Sequence, residues 1–164
     1  MFKKIGWALL TILVVIQFIR PAKNEQPVIA ALSINTKYPA DTAVRRILQK
    51  ACNDCHSNHT NYPWYSKIQP VYWWLNGHIK DGKRHLNFDA FTNRPAWSQY
   101  HKLEEIQEMI DKNEMPLASY TWIHKDAVLT QAEKEQLLTW VKTAKADMQR
   151  QYPKDSLVRP PRKK

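Results

Sequence analysis

At 164 residues the chain has the length of one domain with appendages. Only three glycines, and no extended alternating run of β-branched residues, argue against an all-β fold. The net charge of +10 belongs to the ends: residues 1–23 and 153–164 hold nine of the 25 bases and one of the 15 acids, leaving 16 bases against 14 acids between them. With no basic stripe along a reading helix, the composition argues against a nucleic-acid partner.

The first element is MFKKIGWALLTILVVIQFIR. Two lysines precede an apolar run from Ile5 to Ile19, interrupted by Thr11 and Gln17 and closed by Arg20. This predicts an uncleaved membrane anchor over 1–20. A cleaved signal is the alternative, but Arg20-Pro21-Ala22-Lys23 offers no small-x-small site. The run is short of the roughly 20 residues a spanning helix needs, although Phe2, Trp7 and the lysine stems can extend it. The short N-terminal flank most simply stays in the cytoplasm, which places the rest of the chain in the periplasm or otherwise outside the cytoplasmic membrane.

Residues 21–40, with Pro21, Pro27 and Pro39, read as a linker, and 41–152 as the functional domain. Asp41 offers an N-cap to a helix whose Val44, Ile47, Leu48 and Ala51 share one face and which runs into Cys52. Residues 57–71 read as loop. The cluster Tyr72, Trp73, Trp74 and Leu75 predicts a short helix around 71–79. Leu103, Ile106, Met109 and Ile110 mark a further helix ending near Asn113, a residue that tolerates the left-handed conformation. Thr130 with Glu133 is a capping box, opening a helix that carries Leu137, Leu138, Val141 and Ala144 with Trp140 beside them. The Pro/Lys/Arg-rich segment 153–164 reads as a basic disordered tail. Together these elements predict an all-α fold, three to five helices with long loops.

Both cysteines fall in Cys52-Asn53-Asp54-Cys55-His56. C-x-x-C-H is the attachment sequence of a c-type haem. Two thiols one turn apart match the two vinyl groups of one macrocycle, and the adjacent His56 can take one axial position on the iron. The rival chemistries are weaker. A Cys52–Cys55 disulfide closes too small a loop to staple anything. A thioredoxin-like pair needs a preceding strand, and a helix precedes here. A zinc site needs a second close ligand pair, which is missing.

A six-coordinate iron needs a second axial group. Met115, followed by Pro116 just after a helix, is the first candidate, because proline stiffens the chain beside it. His78 and His85 are the alternatives; they would share a face of a continuous helix, which Gly82 weakens. His101 and His124 read as surface, and His59 lies too near His56 in sequence to reach the opposite face readily. The Pro70 carbonyl is a candidate partner for the other ring nitrogen of His56. Tyr62, Trp64, Tyr65, Trp73, Trp74 and Trp97 could wall the macrocycle.

The order helix, C-x-x-C-H, loop, helix, Met-Pro and capped helix resembles class I cytochromes c in small form. More closely, CNDCHSN, then PWYS, then Gly82-x-x-x-Leu86-Asn87-Phe88, over roughly 41–148, resembles the bacterial haem-binding domain family, small exported or membrane-tethered proteins. The resemblance implies one covalent haem c on Cys52 and Cys55 with His56 on the iron, and Met115 as second ligand where the Glu114-Met115-Pro116 segment acts as in cytochromes c. The reading is a membrane-anchored one-electron carrier with a redox partner protein. A haem-based sensor or ligand-binding module is the alternative. An enzyme is not expected, because nothing in the sequence fixes a distal acid/base group such as His78 with Arg84.

Overall fold

The computed structural model describes residues 1–161, and among these the fold is helical, with no β-strand. The last three residues of the expected basic tail, 162–164, lie outside the described residues.

Helix α1 (Phe2–Ile16) is followed by an irregular segment and the one-turn α2 (Ile34–Lys37). Helix α3 (Thr42–Ala51) starts where Asp41 Oδ1 accepts the Val44 N–H at 2.8 Å, and it buries Val44, Ile47, Leu48 and Ala51, the face its periodicity predicts. A second one-turn helix, α4 (Asn53–His56), carries the cysteine motif. Helix α5 (Val71–His85) is longer than the expected 71–79, because it runs on through both Gly77 and Gly82. Helix α6 (Ala96–Asp111) ends on Asn113 at φ 57°, where Glu114 N–H returns to Met109 O at 2.9 Å. After the short α7 (Ala118–Thr121), α8 (Gln131–Gln151) opens on the Thr130–Glu133 capping box. It runs 21 residues, about 31 Å.

The core forms where α8 lies against α3 and α6, with Ile47, Leu103, Leu137, Val141 and Met148 essentially closed to solvent. Burial of side chains of this kind contributes roughly 1.5–3 kcal/mol each. A smaller cluster of Tyr65, Leu75 and Ile79 sits under α5.

Three expectations need correction. First, the segment 1–20 is not a spanning helix: α1 covers 15 residues, about 22 Å against roughly 30 Å of hydrocarbon, and among the described residues no helix is long and apolar enough to cross a membrane. The cause is Gln17. Its side chain bonds back to Leu13 O and is held by Gln69 in both directions, Nε2 to Gln69 O at 3.2 Å and Oε1 from Gln69 N at 2.9 Å. Second, 21–40 is not a free linker. Asn24 donates its amide to Ser57 O and Thr60 Oγ1, Gln26 N–H bonds to Asn58 O at 2.9 Å, and Ile34 and Tyr38 are part of the core. Third, the tail is ordered at its start. Lys154–Leu157 forms a 3-10 turn, Leu157 packs on the core, and the Arg159 guanidinium lies 5.7 Å from the Trp97 ring centre.

Candidate haem site

The break between α3 and α4 builds the cysteine motif. Cys52 leaves helical geometry at φ −129°, and its carbonyl accepts both Cys55 N–H at 3.2 Å and His56 N–H at 3.0 Å. One tight turn therefore presents Cys52, Cys55 and His56 to a single cavity of about 510 Å³. Its remaining wall is largely apolar, with Leu48, Leu86, Phe88, Ile106, Ile110 and Leu137. Met115 lines the same cavity, on the loop that follows the α6 cap.

Helix α5 can come this close only at Gly82. A Cβ there would fall 2.7 Å from the Cys55 carbonyl oxygen and 3.0 Å from Cys55 Cβ, so any side chain would push the helix off the motif. The residues that follow hold the imidazole. His56 Nδ1 lies 3.0 Å from Leu86 O. A carbonyl only accepts, so the ring proton sits on Nδ1 and Nε2 keeps the free lone pair. Burial pushes the His56 pKa down, against the pull of the Leu86 and Gly82 carbonyls, which favours the neutral ring that ligates metals. The Leu86 strap is itself pinned. Asn87 Nδ2 donates to Asn58 Oδ1 at 2.9 Å, Asn58 N–H donates to Asp89 Oδ2 at 2.7 Å, and the Phe88 ring lies 6.1 Å from that of His56.

Both cysteines are half-buried and free. Burial pushes the Cys52 thiol up to about 12, with Cys55 adding to it. Burial and then the Asp54 carboxylate push Cys55 up to about 11. Asp54, between the two, accepts the Tyr120 hydroxyl at 2.7 Å. Burial first, and that bond second, hold the Tyr120 hydroxyl far above its usual range, so it stays a donor.

The structure redistributes several predicted roles. The partner of His56 is Leu86, not Pro70. The six aromatics expected around the cofactor do not line the cavity. Trp64 is exposed, Tyr65 belongs to the small cluster, and Trp73 Nε1 donates to Ile19 O at 2.8 Å, fixing the root of α1. The aromatic carbon rings that do line it are Phe88 and Tyr120. His78 and His85 both reach the cavity, as a continuous α5 requires; His78 sits edge-on to Trp74 at 4.4 Å. His101 is at the rim and pairs with Glu105 at 3.1 Å. His59 stays outside. His124, expected at the surface, is half-buried, with Nε2 2.7 Å from the Tyr65 hydroxyl. Sequence reasoning missed Leu86 and Phe88 as wall residues and Tyr120 as the partner of Asp54. The first two fall in the Gly82-x-x-x-Leu86-Asn87-Phe88 pattern, which was a usable signal; Tyr120 had none.

A helical domain folded around one apolar cavity, with two thiols, a neutral imidazole and a thioether in its wall, has the donor set of a haem protein. A family model described as a haem-binding domain matches residues 11–143, most of the chain, and the chain belongs to that family. Haem binding is the function this membership carries. No curated protein and no solved structure matches the chain.

Proposed function

We propose that the chain holds a single haem c through thioether bonds to Cys52 and Cys55, with His56 on the iron, and that it carries single electrons outside the cytoplasmic membrane. The convergence of Cys52, Cys55, His56 and Met115 on one cavity of about 510 Å³ supports this most. The size lies in the range of cofactor pockets, about 300–1,000 Å³. The donors suit the group: soft thiols for attachment, and an imidazole whose Nδ1 is already committed to Leu86 O.

When bound, haem supplies a one-electron Fe(III)/Fe(II) couple. The chain's own residues do the rest. Leu86 O fixes the His56 ring and its tautomer, the apolar wall keeps water from the site, and the Asn58–Asn87–Asp89 clasp stops the strap from shifting. Met115, which lines the same cavity, would supply the iron's other protein ligand in this reading. His78 and His85, in the same cavity, are its competitors.

Helix α1 supplies membrane attachment. It buries no residue of its own, and Phe2, Trp7, Leu9 and Leu10 are all exposed. An apolar surface of this extent is stable against an apolar phase, here the interfacial region of a bilayer. The electron donor and acceptor are then other redox proteins, with no enzymatic role for this chain.

Redox titration of the protein produced in a host that attaches haem c tests the reading. A reversible one-electron wave with low-spin spectra in both states is expected. A high-spin ferric form that binds carbon monoxide rapidly once reduced would instead establish the ligand-binding alternative.

A further inference from the structure

The segment that carries Met115 is held to the body of the domain by few bonds. Helix α7 buries none of its residues, and Trp122 and Ile123 after it are 77% and 54% exposed. Two side chains tie the segment down. Tyr120 donates to Asp54 Oδ2 at 2.7 Å, inside the cysteine motif. The His124 ring lies flat on that of Tyr120, 4.3 Å between centres and 15° between planes, and its Nε2 is 2.7 Å from the Tyr65 hydroxyl. Tyr120 and Asp54 also stand between the cavity and a second pocket of about 700 Å³, which Arg46, Lys50, Asn61 and His124 line. Asp54 is well placed as an anchor, since Oδ1 is fixed by Asn61 N–H at 3.0 Å and its carbonyl by Thr60 Oγ1 at 2.6 Å.

We propose that Tyr120 and His124 are positioning residues, a two-bond latch that holds the 115–124 segment closed so that Met115 stays at the cavity and external iron ligands stay out. The latch couples the thioether side of the site to the cysteine motif through Asp54, and to the Pro63–Ser66 turn through Tyr65. Among the described side-chain hydrogen bonds, Tyr120 to Asp54 is the one between α7 and α4; the same hydroxyl lies 3.5 Å from Lys50 O, a longer and weaker contact to α3. This inference rests on the haem reading, and its test separates the two.

Three holoproteins are compared: wild type, Tyr120→Phe and Tyr65→Phe. The readouts are the rate of imidazole binding to the ferric form, the reduction potential, and hydrogen exchange of residues 115–124 in both apo- and holoprotein. Loss of this half-buried hydrogen bond is expected to speed imidazole binding about tenfold in Tyr120→Phe. Tyr65→Phe, which leaves the Asp54 bond in place, is expected to have a smaller effect. Exchange should rise in 115–124 and remain unchanged in α3 and α8, which a general loss of stability would not reproduce. Wild-type binding rates, potential and exchange in both variants would overturn the latch. If even the wild type takes up no haem, the haem reading fails, while faster exchange of 115–124 in the Tyr120→Phe apoprotein still upholds the latch and unchanged exchange overturns it.

Discussion

Two helices of equal length, α1 and α5, each of 15 residues, behave in opposite ways. Beyond Lys3 and Lys4, helix α1 is apolar all round except at Thr11, and it buries nothing. Helix α5 is studded with Lys80, Asp81, Lys83 and Arg84, yet it buries Tyr72, Leu75, Asn76 and Ile79 and supplies His78, Gly82 and His85 to the cavity. Apolar content alone therefore does not decide what joins the core. A helix apolar all round has no face to choose and needs an apolar surrounding from elsewhere. A helix with one apolar stripe, and a glycine where two backbones must meet, is drawn into the fold.

The largest expected effect breaks α5 at that glycine. Gly82→Ala places a Cβ against Cys55 O at 2.7 Å, and overpacking of this kind costs about 1–3 kcal/mol. Because the strain falls on the cysteine motif itself, the yield of haem-loaded protein should drop at least tenfold. Gly77→Ala, on the same helix with nothing within 4 Å, should instead raise stability by about 0.5–1 kcal/mol in urea titration. Similar losses for both would show that α5 fails for helix-wide reasons and not for one contact.

Next comes the strap after α5. Asn87→Ala removes the bond to Asn58 and the side-chain cap on Asp89 N–H at 3.0 Å, for a loss of about 1–2 kcal/mol. If His56 holds the iron as proposed, it should also broaden the low-spin ferric signal in electron paramagnetic resonance of the haem-loaded protein. An unchanged spectrum with lowered stability would leave the strap a purely structural role.

A third outcome concerns the thiols that α5 covers. With pKa values pushed up to about 12 and about 11, Cys52 and Cys55 hold little thiolate at pH 8 in the reduced apoprotein. Alkylation by iodoacetamide should be at least about tenfold slower than in denaturant, and should accelerate as pH rises. Equal rates folded and unfolded would mean that the cavity does not form without haem.

The smaller effects lie away from the cavity. Deleting residues 1–16 should leave the Tm of the rest within about 2 °C, because α1 buries none of its own side chains, while abolishing vesicle binding. Glu133 is held below its usual pKa by Lys50, at 2.6 Å, and then by the Thr130 N–H. Its folded pKa is depressed, so its contribution is present at neutral pH and is lost as pH falls through the folded value. Glu133→Gln should remove about 0.5–1 kcal/mol at pH 7, and progressively less as pH falls through the folded pKa.

Much of the fold was legible in the sequence. The Asp41 cap, the apolar face Val44–Ala51, the left-handed Asn113 and the Thr130–Glu133 box are local signals that the chain carries within a few residues, and the structure has all four. What was not legible depends on contacts distant in sequence. The packing of 24–40 follows from Asn24 meeting Ser57 and Thr60, more than 30 residues away, and no periodicity encodes it. Gly82 looked like a helix breaker because its propensity is poor, whereas its purpose is set by Cys55 across the interface. The aromatics misled for a related reason. Most cluster near the motif in sequence, but Tyr62 and Trp73 are engaged in holding the stretch from Ile19 to Asn24, Tyr65 bonds His124, and Trp64 and Trp74 are exposed. In the site, the contiguous C-x-x-C-H motif was readable, and the carbonyl that orients His56, 30 residues on, was not.

If, as proposed, the cavity holds haem by covalent bonds to Cys52 and Cys55, the cofactor must stay with the polypeptide under denaturing extraction. Intact mass, taken with a pyridine haemochrome spectrum after extraction with acidified acetone, tests it most directly. The expected mass is one polypeptide plus one haem, with a thioether-type spectrum that survives extraction and is lost in a Cys52→Ala, Cys55→Ala double variant. Colourless protein at the bare polypeptide mass, or haem that leaves with the solvent, would contradict it.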